Sequence, residues 1–341
     1  MNPFELPLGA NAAIFVASAI AVWFAGAKLA RYADAIAEHT GIGREFLGLL
    51  MLGGITSLPE QAVAVTATLQ GTPLLSVSDV LGSAAINLVI LAIADAFIGR
   101  GALTSIQGSS GVMLQGVLGI TVMAMVAASY VTGDILVAGM GVWSWLMLLT
   151  YLGCLTLFAN SRTSLAWIAH GHQPEQFDRE EGGHRTLEPI IWKSVAVAAV
   201  ILVAGFLLAR SGEALAAQTG LGTGFFGMVF LGLSTSLPEL STVLAAVRLR
   251  RYEMAISDVF GTNLFNVTII VLVDAIYSGG PILAEAERIT SFGALLALVL
   301  TAVYLVGLLE RRNRTFLRMG LDSVAVLAAY AVGVVVLHAL R

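Results

Sequence analysis

Charge is scarce in this sequence: Asp, Glu, Lys and Arg make up 12% of the 341 residues, against 57% hydrophobic, and the mean hydropathy is +0.88. Soluble domains run near about 25% charged, so that class is excluded. The 18 basic residues form no tract of the kind that binds nucleic acid. A single cysteine, Cys154, excludes a disulfide framework and a thiolate metal site. Residues 1–9 lack the basic region of a signal peptide, and the first apolar run is long enough to span, so none is expected. The short alternating segments of an outer-membrane barrel are also missing.

What fills the chain instead is apolar runs of about 20 residues, the length that crosses a bilayer as a helix. They predict an all-α polytopic membrane protein with ten transmembrane helices, near 10–31, 44–70, 75–98, 112–131, 136–160, 189–210, 222–248, 253–277, 290–310 and 318–340. One polar linker, 161–188, separates the fifth from the sixth. With these spans, Arg210, Arg288 and Arg341 fall on the side of the N-terminus and the other 15 basic residues on the opposite side. The positive-inside bias then puts both termini outside and the linker in the cytoplasm. The expected location is a bacterial inner (plasma) membrane.

Shifted by 179 residues, the chain meets itself. Without a gap, 27 of the 71 positions from 25 to 95 are identical to their counterparts. TSLPE (56–60) falls on TSLPE (235–239), SDVLGSAAIN (78–87) on SDVFGTNLFN (257–266), and Asp95 on Asp274. The expected organisation is a first five-helix repeat over 1–160 and a second over 189–341. Five is odd, so the second repeat enters from the opposite face. Inverted repeats of this kind build secondary transporters, with the site at the midplane.

Each TSLPE places a proline, hydroxyls and a carboxylate inside an apolar span. Pro59 removes the donor for the carbonyl of Ile55, and Pro238 that for Ser234. Gly53, Gly54 and Gly232 loosen the turn before. Irregular backbone at this depth is tolerated beside a protein-lined cavity, and a carboxylate in lipid is costly and usually functional. The second and seventh helices are therefore expected to be broken, offering freed carbonyls, Thr56, Ser57, Thr235, Ser236, Glu60 and Glu239. Depth along antiparallel neighbours brings Glu60 level with Ser83 and Asn87, and Glu239 level with Thr262 and Asn266. Asp79, Ser83 and Asn87 make one polar stripe at four-residue spacing, as do Asp258, Thr262 and Asn266. Every convergent group offers oxygen, which suits a hard cation, Ca²⁺ or Na⁺. Two carboxylates in one low-dielectric cavity repel each other, so protons, Na⁺ and Ca²⁺ should compete there. Competition with alternating access is antiport.

The doubled TSLPE with a downstream G-[ST]-x-x-x-N, in two five-span halves, resembles the calcium/cation antiporter superfamily, in its sodium/calcium exchanger-like branch. The resemblance covers nearly the whole chain. It implies Glu60 and Glu239 as the central metal ligands, with Ser57, Ser236, the Thr56 and Thr235 carbonyls, Ser83, Thr262, Asn87 and Asn266 completing the cation site. Gly53 and Gly232 would give further backbone carbonyls. It also implies Ca²⁺ with Na⁺ or H⁺ as transported ions, and neither a cofactor nor an obligate protein partner.

Two departures from that pattern matter. Sodium/calcium exchangers usually carry Asp at the position of Asn266; here one fixed negative charge is missing, which suggests two monovalent ions per Ca²⁺. The family usually has Asn where this chain has Asp79 and Asp258. These stand about 12 Å from Asn87 and Asn266 along their helices, at ~1.5 Å per residue. They are candidates to line the two vestibules as cation-attracting or proton-accepting groups, or carboxylates held by a helix N-terminus. Asp95 and Asp274, near span ends, are expected to be solvated, as is the linker with His170, His172 and His184. Two other classes compete. An intramembrane lipid-pyrophosphate phosphatase would need Arg, Lys or His near TSLPE, and none is there. A cation channel would stack rings of ligands rather than bury one cluster.

Overall fold

The computed structural model describes residues 6–98, 101–106, 109–160, 187–219, 232–316 and 318–340. The linker and its histidines lie outside them, apart from residues 187 and 188.

The chain starts with α1 (Leu8–Thr40), followed by α2 (Arg44–Thr56), α3 (Leu58–Leu69), α4 (Pro73–Asp95) and α5 (Ser110–Thr132). A two-stranded hairpin, β1 (Leu136–Val137) with β2 (Met140–Gly141), leads into α6 (Val142–Asn160). Then come α7 (Leu187–Thr219), α8 (Gly232–Thr235), α9 (Leu237–Arg248), α10 (Tyr252–Ile276) and α11 (Arg288–Glu310). A second hairpin, β3 (Thr315–Phe316) with β4 (Met319–Gly320), leads into α12 (Leu321–Ala339). The 179-residue shift seen in the sequence carries through the whole order. Helices begin at 8 and 187, 58 and 237, 73 and 252, 142 and 321, and the hairpins at 136 and 315.

Seven described helices are long and apolar enough to cross a membrane, or eight when α2 and α3 are taken as one bent span. Helix α6 is apolar but shorter, and the first part of the expected seventh span lies outside the described residues. Runs 136–160 and 318–340 are not helical throughout. Hydropathy alone does not see the tight hairpin before each helix, where Ala138 and Gly139 in the first and Arg318 in the second take positive φ.

The two halves interlock. Helix α1 packs on α7 and α9, and α7 on α1 and α3; α2 packs on α10, and α8 on α4. Helices α4 and α10 sit centrally, with 89% and 72% of their most apolar stretches buried, against 22% for α1 and 17% for α7. The outer helices turn large apolar side chains outward, among them Phe24, Trp192, Val203 and Val332. That pattern fits lipid around the bundle, and it leaves the polar residues of α4 and α10 inside.

Asp95 and Asp274 correct an expectation: neither is solvated. They are 0% and 1% exposed. Asp95 accepts from Leu103 N (2.6 Å), Gly320 N (2.6 Å) and Ser323 Oγ (2.8 Å). Asp274 accepts from Ile282 N (2.7 Å) and Gly141 N (2.7 Å). Each carboxylate thus ties a loop of its own half to the hairpin of the other half.

Candidate cation-binding site

Helix α2 begins as an α-helix, widens into a π-helical stretch at Gly48–Leu52, and stops at Ser57. A 41° bend follows into α3, with Pro59 in its first turn. Proline is tolerated there because the first-turn N–H groups have no intrahelical partner. Helix α8 stops at Ser236 in the same way, before Pro238 in the first turn of α9. Glu60 and Glu239 are therefore both in the first turn of a helix that starts inside the bundle. The positive end of the helix dipole favours a carboxylate there.

Close backbone approach puts these breaks against α10 and α4. A Cβ on Gly53 would lie 2.7 Å from Thr262 N, and one on Gly232 would lie 3.0 Å from Ser83 N. Glycine suits such close approach, and at Gly53 a larger residue would force the backbone to shift, as at other tight helix crossings in membranes.

The polar stripes of α4 and α10 meet the breaks. Ser83 Oγ lies 2.9 Å from Ser236 Oγ and donates to Glu60 Oε1 at 3.5 Å. Thr56 Oγ1 lies 3.4 Å from Thr262 Oγ1. Glu60, Glu239, Ser57, Ser83, Asn87, Thr56, Thr235, Thr262 and Asn266 are fully buried, and Ser236 nearly so. All the sequence-expected ligand positions are thus buried in the middle of the bundle, on α2, α3, α4, α8, α9 and α10.

Several oxygens there have no hydrogen-bond partner among the described residues: Glu60 Oε2, both oxygens of Glu239, Asn87 Oδ1 and Asn266 Oδ1; the Asn266 amide nitrogen has none either. Buried polar atoms are normally satisfied, so this set marks a place built for something the protein itself does not supply. The backbone carbonyls differ. Gly53 O already accepts from Ser57 Oγ (2.8 Å) and Ser57 N (3.2 Å), and Gly232 O from Ser236 N (3.0 Å) and Thr235 Oγ1 (3.2 Å). A cation there shares these oxygens with local donors.

The sequence profile described as "Sodium/calcium exchanger protein" matches residues 10–167 and 190–338. The chain belongs to that family. Two curated relatives are similar along most of their length. Inner membrane protein YrbG of Escherichia coli (strain K12) is 26% identical over 274 residues, covering 79% of this chain and 81% of that protein. The putative antiporter CaxA of Alkalimonas amylolytica is 25% identical over 312 residues, 88% of this chain and 92% of that protein. Among solved structures, the sodium-calcium exchanger NCX_Mj soaked with 2.5 mM Na⁺ and 0.1 mM Sr²⁺ superposes with a TM-score of 0.71 at 14% identity, covering 96% of this chain and 99% of that one. With 10 mM Na⁺ and no Ca²⁺ its TM-score is 0.70 at 16% identity, with the same coverage. The chain is therefore a membrane transporter of the exchanger class, with the NCX_Mj fold.

In this structure Asp79 and Asp258 are closed off from solvent. They are 1% and 0% exposed, and each accepts from a threonine of the second half. Thr235 Oγ1 donates to Asp79 Oδ1 at 3.3 Å, and Thr242 Oγ1 donates to Asp258 Oδ2. Two residues of the cluster escape sequence reasoning. Thr242 follows Glu239 by three residues and so shares its helix face. Asn263 stands beside the α10 stripe, and its counterpart is apolar Ala84. A buried amide in a membrane helix is itself a signal, but a search by repeat symmetry passes over it.

Proposed function

We propose that this chain is a secondary antiporter that exchanges Ca²⁺, or a related divalent cation, for Na⁺ or H⁺ by alternating access. The carrying observation is the set of buried, unpartnered oxygens around Glu60 and Glu239. A divalent hard cation takes six to eight oxygens, and two carboxylates with neutral amide, hydroxyl and carbonyl oxygens match its charge. In an empty site the carboxylates repel, so monovalent cations or protons take the place of the divalent ion; that competition couples their movement. Metal ligation is assigned to Glu60 and Glu239. Asn87, Asn266, Ser57, Ser236, Ser83, Thr262, Thr56, Thr235, Gly53 and Gly232 complete the site.

The two five-helix halves are read as inverted across the bilayer, which gives each face an equivalent route to the centre. Both termini lie outside, on the charge asymmetry of the loops. Two carboxylates set an electroneutral exchange, two monovalent ions per Ca²⁺. Asp79 and Asp258 stand along the ion routes on opposite sides of the centre.

The test is Ca²⁺ flux into proteoliposomes under an imposed Na⁺ gradient and, separately, a pH gradient. Uptake should follow one of these gradients and leave the membrane potential unchanged. Ca²⁺ entry without an exchanging ion would point to a channel instead.

A further inference from the structure

Asn263 takes no part in the coordination proposed above, yet its amide is bonded at both ends. It lies on α10 and is 4% exposed. Its Nδ2 donates to the backbone carbonyl of Ala84 at 3.1 Å, and its Oδ1 accepts from Asn87 Nδ2 at 2.9 Å. The two ends of an amide are nearly alike in shape, so only the hydrogen-bond network tells them apart. Here the network does so from a fixed point. A backbone carbonyl can only accept, so the nitrogen of Asn263 faces Ala84 and its oxygen faces Asn87. That oxygen requires a donor. Asn87 therefore turns its nitrogen to Asn263 and its Oδ1 away, and Asn87 Oδ1 is one of the buried oxygens without a protein partner.

The symmetric arrangement would need an asparagine at 84 to do the same for Asn266. Position 84 is alanine, and both ends of the Asn266 amide lack partners among the described residues. The same residue type thus stands at the two equivalent positions, fixed at one and unfixed at the other.

We propose that Asn263 is a positioning residue that holds Asn87 with its carbonyl oxygen toward the transported cation and so makes the two site asparagines inequivalent. It rests on the cation-site reading above. An amide nitrogen facing the ion would repel it, and an amide free to turn must give up freedom when the ion arrives. A ligand oxygen already turned to the ion avoids that cost. The same network sets what each position tolerates. Aspartate at 87 would set a carboxylate against Asn263 Oδ1, and a turn of Asn263 would only move the conflict to the Ala84 carbonyl. Aspartate at 266 loses no hydrogen bond.

The test uses the full chain in proteoliposomes, with the half-saturating Ca²⁺ concentration for uptake as readout. Asn263→Ala should raise it by about three- to tenfold, the worth of one oriented hydrogen bond. Because Asn263 acts through Asn87, the pair Asn87→Ala with Asn263→Ala should be no weaker than Asn87→Ala alone. Asn87→Asp should lose at least about tenfold more Ca²⁺ affinity than Asn266→Asp, the difference one unmade charged hydrogen bond produces. If Asn263→Ala is poorly folded by thermal melting, Asn263→Ser replaces it, being polar but too short to reach Asn87, with the same expectations. Unchanged half-saturation, additive losses in the double variant, or equal losses in the two aspartate variants would overturn the assignment. Glu239→Gln in the same assay separates the two levels. Its loss of uptake beside a wild-type Asn263→Ala would remove the role of Asn263 alone, and wild-type uptake in Glu239→Gln would remove the site and this role together.

Discussion

In the first half of the chain, Glu60 accepts from Ser83 and Asn87 is bonded to Asn263. In the second half, neither oxygen of Glu239 and neither end of Asn266 meets a partner among the described residues. The backbone plan is the same, from the broken helix to the polar stripe opposite it. The difference lies in how much of the local hydrogen bonding is already made. Both halves keep unpartnered oxygens, Glu60 Oε2 and Asn87 Oδ1 in the first and those of Glu239 and Asn266 in the second, but the first has more of its local hydrogen bonds already made. A duplicated fold thus supplies matched positions, and single unmatched residues such as Asn263 and Ala84 divide the roles.

The sharpest way to break this comparison is to neutralise one carboxylate at a time. Glu60→Gln and Glu239→Gln should each lower Ca²⁺ uptake by about hundredfold or more, beyond what loss of a supporting outer contact to a metal site does. They should differ in the ion-free protein. Glu239 accepts no close hydrogen bond among the described residues, only the Thr56 hydroxyl standing near, so Glu239→Gln should raise the melting temperature in Ca²⁺-free detergent more than Glu60→Gln does. The opposite order would show that Glu239 is the better satisfied of the two.

The glycine crossings come next. Gly53→Ala drives a methyl into backbone atoms of α10 at 2.7 Å, and Gly232→Ala meets α4 at 3.0 Å. Overpacking of this kind costs about 1–3 kcal/mol, so thermal melting should fall for both, and further for Gly53→Ala. Equal shifts would mean that the two crossings are equally tight.

The paired aspartates give a smaller contrast. Asp95→Asn disturbs three hydrogen bonds and Asp274→Asn two. Expected losses of stability are about 2 kcal/mol and about 1 kcal/mol, from the usual worth of hydrogen bonds to a charged group. Denaturant or thermal melting in detergent would show the order.

The smallest effect lies at the helix ends. On one face Asp34 Oδ1 holds both Arg44 Nε (2.7 Å) and Arg251 Nε (2.9 Å), with Glu38 alongside. At the symmetric position Arg210 pairs with Glu213 and reaches Gln70. Arg251 is the most exposed of these cations, and pairs that solvent reaches are worth about 1 kcal/mol or less and weaken with salt. Arg251→Ala should therefore cost little and its cost should shrink at high salt, while the loss in Arg210→Ala, at a more buried pair, should depend less on salt; melting curves would show it.

Much of the site was legible in the sequence because the membrane makes polar residues conspicuous and the repeat presents each twice. TSLPE and the stripes at 79–87 and 258–266 could be aligned by depth alone, and the structure brings them together. What the sequence could not show depends on contacts between halves. Asp95 and Asp274 look solvated at helix ends, since nothing local reveals that a hairpin of the other half caps them. That Thr235 and Thr242 bond to Asp79 and Asp258 is likewise invisible in the sequence. The π-helical stretch at Gly48–Leu52 has no marker of its own. Asn263 was missed because symmetry, the best guide to the other residues, argues against it.

Equilibrium binding of ⁴⁵Ca²⁺ to the purified chain, titrated with Na⁺ and separately with H⁺, bears most directly on the shared carboxylate site. One Ca²⁺ per chain should bind, should be displaced competitively by at least one of these ions, and should be lost in Glu60→Gln and in Glu239→Gln. Undiminished binding in either variant, or binding that neither Na⁺ nor H⁺ displaces, would contradict it.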